Sequence, residues 1–78
     1  MNNFKFESNY DGVRRGYKSL GVCITQCKNH LRRIEEFSCS NNVDADIYQI
    51  IRADEKIKYK LLGNIQFDGI EFTEEAAE

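Results

Sequence analysis

The sequence predicts an α+β domain in which one helix packs on an antiparallel sheet as a two-layer sandwich. Segments that alternate apolar and polar residues lie on both sides of one segment with helical periodicity, and turn signals separate the alternating segments. The expected order is β-β-α-β-β, followed by a short hairpin. Residues 1–73 form the single domain of this prediction, and residues 74–78 form an acidic tail.

A first β-hairpin is predicted over residues 3–19. Its aromatic residues alternate with polar ones, and Asp11-Gly12 is a strong signal for a two-residue turn. The register that this turn predicts pairs Tyr10 with Val13, Ser8 with Arg15 and Phe6 with Tyr17. The face that we expect in the core carries Phe4, Phe6, Tyr10, Val13 and Tyr17.

A helix is predicted from Leu20, with Ser19 as its N-cap. From this point apolar residues recur at steps of three and four, which is the period of an amphipathic helix. The members of this stripe are Leu20, Cys23, Ile24, Cys27, Leu31, Ile34 and Phe37. A loop is expected at residues 38–42.

Residues 45–62 fit either a helix or a hairpin. A helix ending at Gly63 would place Asp54 and Lys58 within its apolar stripe, whereas residues 56–61 alternate as strands do. A hairpin turning at Asp54-Glu55 is therefore favoured, and strand versus helix stays open at residues 45–53. One face of that hairpin carries Tyr48, Ile50, Ile57, Tyr59 and Leu61. The other carries Ile47, Ile51 and Leu62 among Lys56, Lys58 and Lys60, which is unusually apolar for a face in water.

A last hairpin is predicted over residues 64–73. Asp68-Gly69 separates two short alternating segments, and a two-residue turn at this point would pair Phe67 with Ile70. The residues after it are acidic, which suggests a frayed tail.

The size of the chain limits its function. A domain of 78 residues buries only about 60% of the surface that its unfolded chain exposes. A hydrophobic content of 41% suits one modest core and leaves no room for a deep cleft on a separate scaffold. We therefore expect a binding protein and not an enzyme, with no catalytic residues and no cofactor.

The charge is unevenly distributed. Residues 1–36 carry seven Lys and Arg against four Asp and Glu, for +3, and residues 37–78 carry four against nine, for −5, which sum to the net −2. Bulk binding of nucleic acid is disfavoured, because that mode neutralises many phosphates at once. Whether the basic or the acidic surface binds a partner stays open at this point.

The three cysteines are expected to be free thiols, since an odd number cannot all pair and the first residues lack a secretion signal. We also expect a cytoplasmic protein with no membrane partner, because no apolar run approaches the roughly 18 residues of a span. Four zinc-competent side chains form a C-x3-C-x2-H-x8-C series, namely Cys23, Cys27, His30 and Cys39. Residues seven apart on a helix are separated by about 10.5 Å along its axis, too far for one ion, so no metal is expected.

Arginines provide the best candidates for binding a partner. Their planar guanidinium groups suit bidentate contact with carboxylate or phosphate, and arginine is enriched at interface hot spots. The predicted partner-binding residues are Arg14, Arg15, Asn29, Arg32 and Arg33. The lysines at 56, 58 and 60 are a typical way to keep a sheet edge soluble.

An aromatic strand, the turn Asp11-Gly12, and a return strand ending in Tyr17-Lys18-Ser19-Leu20 precede the helix. Ile47-Tyr48-Gln49-Ile50 and the second hairpin follow it. This layout resembles small phage-encoded proteins of the anti-CRISPR and other host-inhibiting types, in size and organisation. The resemblance implies a non-enzymatic inhibitor from a phage or mobile element that binds a host protein complex in the host cytoplasm. No functional residue is carried over from it.

Two further hypotheses are kept. The first is a small nucleic-acid-binding module, with Tyr10 or Tyr17 available for stacking. Its basic residues would be Arg14, Arg15, Lys28, Arg32 and Arg33. The second is a homodimer, since small domains often gain stability by association. Its face would carry Ile47, Ile51 and Leu62.

Overall fold

The computed structural model of the chain describes residues 4–38 and 42–77, so Cys39 and most of the predicted loop at 38–42 lie outside the described residues. It contains one helix and one antiparallel sheet with the strand order β2-β1-β3-β4-β5. The elements are β1 (Phe6–Tyr10), β2 (Val13–Tyr17), α1 (Leu20–Ser38), β3 (Val43–Ala53), β4 (Lys56–Phe67) and β5 (Phe72–Ala76). The predicted α+β class and the β-β-α-β-β order are confirmed.

The first hairpin has the predicted register. Asp11 and Gly12 both have positive φ, and the Gly12 N–H donates to Asn9 Oδ1 at 3.0 Å. The expected core face is wrong at two positions. Val13 is 51% exposed at the hairpin tip. Phe4 packs against Gly16 on the opposite face, where a Cβ at position 16 would overlap its ring.

The helix begins at Leu20 as predicted, and Ser19 caps it by accepting a hydrogen bond from the Val22 N–H at 3.2 Å. Its apolar stripe supplies one half of the core, and strands β3 and β4 supply the other. The buried core residues are Cys23, Cys27, Leu31, Val43, Ala45, Ile47, Ile65 and Phe67. No helix in the described part of the chain is long and apolar enough to cross a membrane.

Residues 45–62 form the hairpin and not the helix, with the turn at Asp54 and Glu55, both of positive φ. The strands have the predicted register from this turn to the pair Tyr48 with Leu61. A bulge follows, because Ile47 pairs with Gly63 and leaves Leu62 as an extra residue on β4. The orientation of the hairpin is the reverse of the one expected. The face of Ile47 is in the core, where Ile47 is only 4% exposed.

The C-terminal hairpin differs from its prediction. Phe67 pairs with Phe72 instead of Ile70, so residues 68–71 form a four-residue loop. Asp68 organises this loop, since its Oδ1 accepts hydrogen bonds from the Glu71 N–H at 2.7 Å and the Ile70 N–H at 2.8 Å. These bonds lower the pKa of Asp68. The predicted tail is also wrong for residues 74–76, because they belong to β5.

The hairpin of β3 and β4 extends beyond its neighbours. Strand β1 lies beside β3 only at residues 46–49, and β5 lies beside β4 only at residues 63–67. Among the described residues, residues 51–58 pair only with one another, whereas residues 59–61 pair with residues 48–50. Every residue from 51 to 61 is exposed. We call the projection formed by residues 51–61 the arm, of which residues 51–58 are two-stranded. The domain is correspondingly elongated, at 43 × 28 × 21 Å.

Candidate binding surfaces

A basic groove lies between the helix and strand β2. Its side chains come from successive turns of one helix face and from one β2 residue that points to the same side. The groove has a volume of about 440 Å³ and is lined by Arg15, Gln26, Asn29, His30, Arg32 and Arg33. We call it the arginine groove.

His30 lies in the arginine groove, with its ring edge-on to the ring of Tyr10. The two ring centroids are 6.1 Å apart, and the planes are inclined at 79°. Burial lowers the pKa of His30, and the positive charges of Arg15 and Arg33 lower it further. Because its pKa lies below the ordinary value of about 6.5, the neutral form of His30 predominates at pH 7. The positive charge of the groove at neutral pH therefore comes from its arginines.

Among the described residues, no carboxylate forms an ion pair with the groove arginines. The two ion pairs within residues 4–38 and 42–77 join Arg14 to Glu7 and Lys28 to Glu74. Arg15 and Arg33 have no carboxylate partner in this part of the chain. Arg32 lies over the ring of Phe72, with its guanidinium carbon 5.0 Å from the centroid. The guanidinium groups thus keep their capacity to bind an anion.

The structure brings together four of the five residues predicted to bind a partner. Arg15, Asn29, Arg32 and Arg33 line the groove, whereas Arg14 lies on the opposite face of the sheet. Arg14 is adjacent to Arg15 on a strand, so the two side chains point to opposite faces. Sequence reasoning did not include Gln26 and His30. Gln26 is three residues before Asn29 and His30 is three residues before Arg33 on one helix, and this spacing was the signal that could have identified them.

The basic residues of the nucleic-acid hypothesis are separated in space. Lys28 lies on the flank of the helix that faces Phe72, where its Nζ is 3.4 Å from Glu74 Oε2 and 5.5 Å from the ring centroid of Phe72, and the Arg32 guanidinium lies over the same ring. Arg14 is on the opposite face of the sheet. Apart from Arg32, the groove holds two arginines, Arg15 and Arg33, which is a small electrostatic footprint for a polyanion.

A second surface is the sheet face that points away from the core. Tyr59 is 47% exposed there, and Ile57 and Leu61 are similarly open to solvent. At the centre of this face Arg14 bonds to both carboxylate oxygens of the buried Glu7, and its guanidinium carbon is 4.7 Å from the Tyr59 ring centroid. The bonds to Glu7 and Tyr59 raise the pKa of Arg14. We call this surface the open sheet face.

The residues predicted for a dimer do not form one accessible surface. Ile47 is in the core under the helix, and Leu62 packs against that core from the bulge. Ile51 is exposed on the arm. The homodimer stays a prediction, but Ile47 cannot contribute to its interface without unfolding of the core.

The zinc-competent residues serve other roles in the described structure. Cys23 and Cys27 are buried free thiols, and burial raises the pKa of each to about 11. Both are therefore protonated at neutral pH and poor nucleophiles. Within the described ranges, no group of three His, Cys, Asp or Glu side chains is arranged to hold a metal ion. Cys39 lies outside those ranges.

Comparison of the chain with protein-family models, with curated proteins and with solved structures finds no match.

Proposed function

We propose that the chain is a non-enzymatic protein-binding domain whose arginine groove holds an acidic segment of a partner protein. The observation that supports this proposal is that Arg15 and Arg33 line the groove with Asn29 and have no carboxylate partner among the described residues, while the guanidinium of Arg32 lies over the Phe72 ring. Guanidinium groups bind carboxylates in a bidentate geometry, and the neighbouring amide of Asn29 offers both a donor and an acceptor.

An acidic protein fits this groove better than a nucleic acid does. The chain has a net charge of −2, and strand β5, at the sheet edge opposite β2, carries Glu74 and Glu75. A long polyanion that ran from the groove across the helix towards β5 would approach these carboxylates, whereas a short acidic segment would contact the arginines alone. A nucleic acid in this groove would also make few phosphate contacts, and it would therefore bind weakly at physiological salt. Nucleic acid is therefore the second candidate, supported by the same uncompensated arginines.

The proposal includes the packing of the helix on the sheet and the biological role that the sequence suggests. In it, the helix covers one face of the sheet as a two-layer sandwich, so the groove and the open sheet face point in different directions. The role is that of a phage or mobile-element inhibitor that blocks a host protein complex in the cytoplasm. That role is supported by size and layout alone.

The test compares tagged proteins in pull-downs from bacterial lysate, with and without nuclease. The groove variant combines Arg15→Glu with Arg33→Glu, and the matched control combines Lys5→Glu with Lys18→Glu. Both change the net charge by −4, and all four positions are exposed. We expect a stoichiometric protein that survives nuclease, is retained by the control and is lost by the groove variant, because reversed charges repel an acidic segment.

Two results would contradict the proposal. A protein partner that both variants retain equally would place the interface elsewhere. Nucleic acid that is captured by the parent chain, lost on nuclease treatment and lost by the groove variant would favour the second candidate. Its affinity would then fall steeply with salt.

A further inference from the structure

The outer edge of the arm has backbone groups without a neighbouring strand. Strand β5 follows the edge of β4 from Phe67 to Gly63, and the Ala77 N–H still donates to the Leu62 carbonyl at 2.9 Å. Beyond this bond, residues 56–61 pair with β3 on one side and have no strand on their outer edge among the described residues. A two-stranded projection is only marginally stable in water by itself, and a third strand would stabilise it.

The side chains along this edge belong to two chemical classes, and each class occupies one face of the strand. Lysines point to one face, and large apolar side chains point to the other, because successive residues of a strand alternate. The lysines are Lys56, Lys58 and Lys60, and the apolar residues are Ile57, Tyr59 and Leu61. The ion pairs of the described chain include none of these lysines. Three positive charges are therefore available on one face of an open edge.

A second copy of the chain is a poor occupant for this edge. In a two-fold antiparallel pair centred on Tyr59, Lys58 would lie opposite Lys60 of the other copy. A pair centred on Lys58 would place the two Lys58 side chains opposite each other, and a shift by one residue would place lysines opposite apolar residues. Like charges directly opposite are destabilising. The lysines thus protect the edge against self-association.

We propose that residues 56–61 form a second binding site, which accepts an extended strand of a partner protein in which acidic and apolar residues alternate. Residues directly opposite in a sheet share a face, so carboxylates of such a strand would meet the lysines. Its apolar residues would pack beside Ile57, Tyr59 and Leu61. The backbone bonds of the added strand supply affinity, and the alternation supplies specificity. This site is separate from the arginine groove, so either proposal can fail without the other.

The test uses two short capped fluorescent peptides of identical composition and the full chain. One alternates glutamate with valine, and the other contains the same residues as one acidic and one apolar block. Binding is measured by anisotropy, and backbone amide exchange is followed with and without peptide. We expect the alternating peptide to bind at least about ten-fold more tightly than the block peptide and to slow exchange within residues 56–61.

Two double variants locate the site. Lys58→Glu with Lys60→Glu should weaken binding of the alternating peptide about ten-fold or more, since two favourable pairs become repulsive. Arg15→Glu with Arg33→Glu changes the net charge equally and should leave binding within about two-fold. The lysine positions are exposed, and an unchanged circular dichroism spectrum would show that the edge variant is folded.

Three outcomes would overturn the inference. Equal affinity for the two peptides would mean that charge alone attracts them. Loss of binding in the arginine variant, with binding kept in the lysine variant, would place the acidic peptide in the groove. No binding of the alternating peptide at millimolar concentration would leave the lysines as protection of the edge and nothing more.

Discussion

The two ends of the β3–β4 hairpin have similar sequence patterns and opposite surroundings. At the covered end, residues 43–47 and 63–67 lie under the helix between β1 and β5, and Ile65 is 2% exposed. At the arm, residues 51–58 have no third strand beside them among the described residues, and Ile57 is 55% exposed. Both ends alternate apolar with polar residues. The burial of an alternating strand is therefore decided by what packs on it.

The covered end and the arm are also expected to differ in their contributions to stability and to binding. The covered end supplies most of the strand contribution to the core. The arm contributes little to that core, and its apolar side chains remain available to a partner. We expect substitutions at the covered end to change the free energy of unfolding, and substitutions at the arm to change recognition.

The largest expected effect tests this division directly. Ile65→Ala should destabilise the domain by about 2–5 kcal/mol, because it removes buried methyl groups and leaves a cavity. Ile57→Ala should change the free energy of unfolding by less than about 0.5 kcal/mol, since its side chain is largely exposed. Denaturant unfolding followed by circular dichroism measures both values.

If Ile65→Ala does not fold, Ile65→Val provides the milder comparison, with an expected loss of about 0.5–1.5 kcal/mol. Equal losses at positions 65 and 57 would contradict the distinction, because they would mean that the arm is packed against something in the free protein.

The next effect concerns the position where β5 begins to cover β4. A Cβ at Gly63 would overlap with the Glu75 carbonyl oxygen, so Gly63→Ala should cost about 1–3 kcal/mol and loosen β5. Gly21 is the matched control, since a Cβ there meets no atom within 4 Å. Gly21→Ala should raise stability by up to about 1 kcal/mol, because alanine favours the helix.

Amide exchange would show whether Gly63→Ala moves the boundary of the arm. We expect faster exchange in β5 and in the adjoining part of β4, with the first hairpin unchanged. A variant as stable as the parent chain, with β5 protected as before, would show that the sheet tolerates the methyl group and would weaken the role of Gly63.

The smallest effect should be confined to the arm. Asp54 and Glu55 have φ of 50° and 65°, and such left-handed positions cost non-glycine residues about 1–2 kcal/mol each. Glu55→Gly should therefore stabilise the turn by about 1 kcal/mol, since glycine suits the second position of this two-residue turn. Amide exchange should slow at residues 51–61. It should stay the same at the covered end, where Val43 pairs with Phe67. Slower exchange throughout the sheet would indicate that both ends unfold as one unit.

The local features of the fold could be predicted well from the sequence. The turns at Asp11-Gly12 and Asp54-Glu55, the N-cap Ser19 and the helical stripe all depend on neighbouring residues, and each is present. The prediction of the C-terminal hairpin failed because Asp68 accepts hydrogen bonds from the N–H groups of Ile70 and Glu71. These bonds form a longer loop than Asp-Gly alone suggests.

The candidate site could be predicted only in part. The helix spacing placed Asn29, Arg32 and Arg33 near one another, whereas the contribution of Arg15 depends on β2 lying beside that helix flank. Arg14 was included although neighbours on a strand point to opposite faces, so the predicted register already separated it from Arg15.

By itself, the sequence determined the order of the elements, the pairing within the first hairpin and the pairing within the β3–β4 hairpin up to the bulge, because these depend on short-range periodicity and turn chemistry. Tertiary structure decided which face of the β3–β4 hairpin is buried. Alternation divides a strand into two faces, but it does not say which of two apolar faces the helix will cover. Alternation also could not predict the open edge of the arm. That edge belongs to β4 and exists only because β5 ends before it reaches residues 56–61.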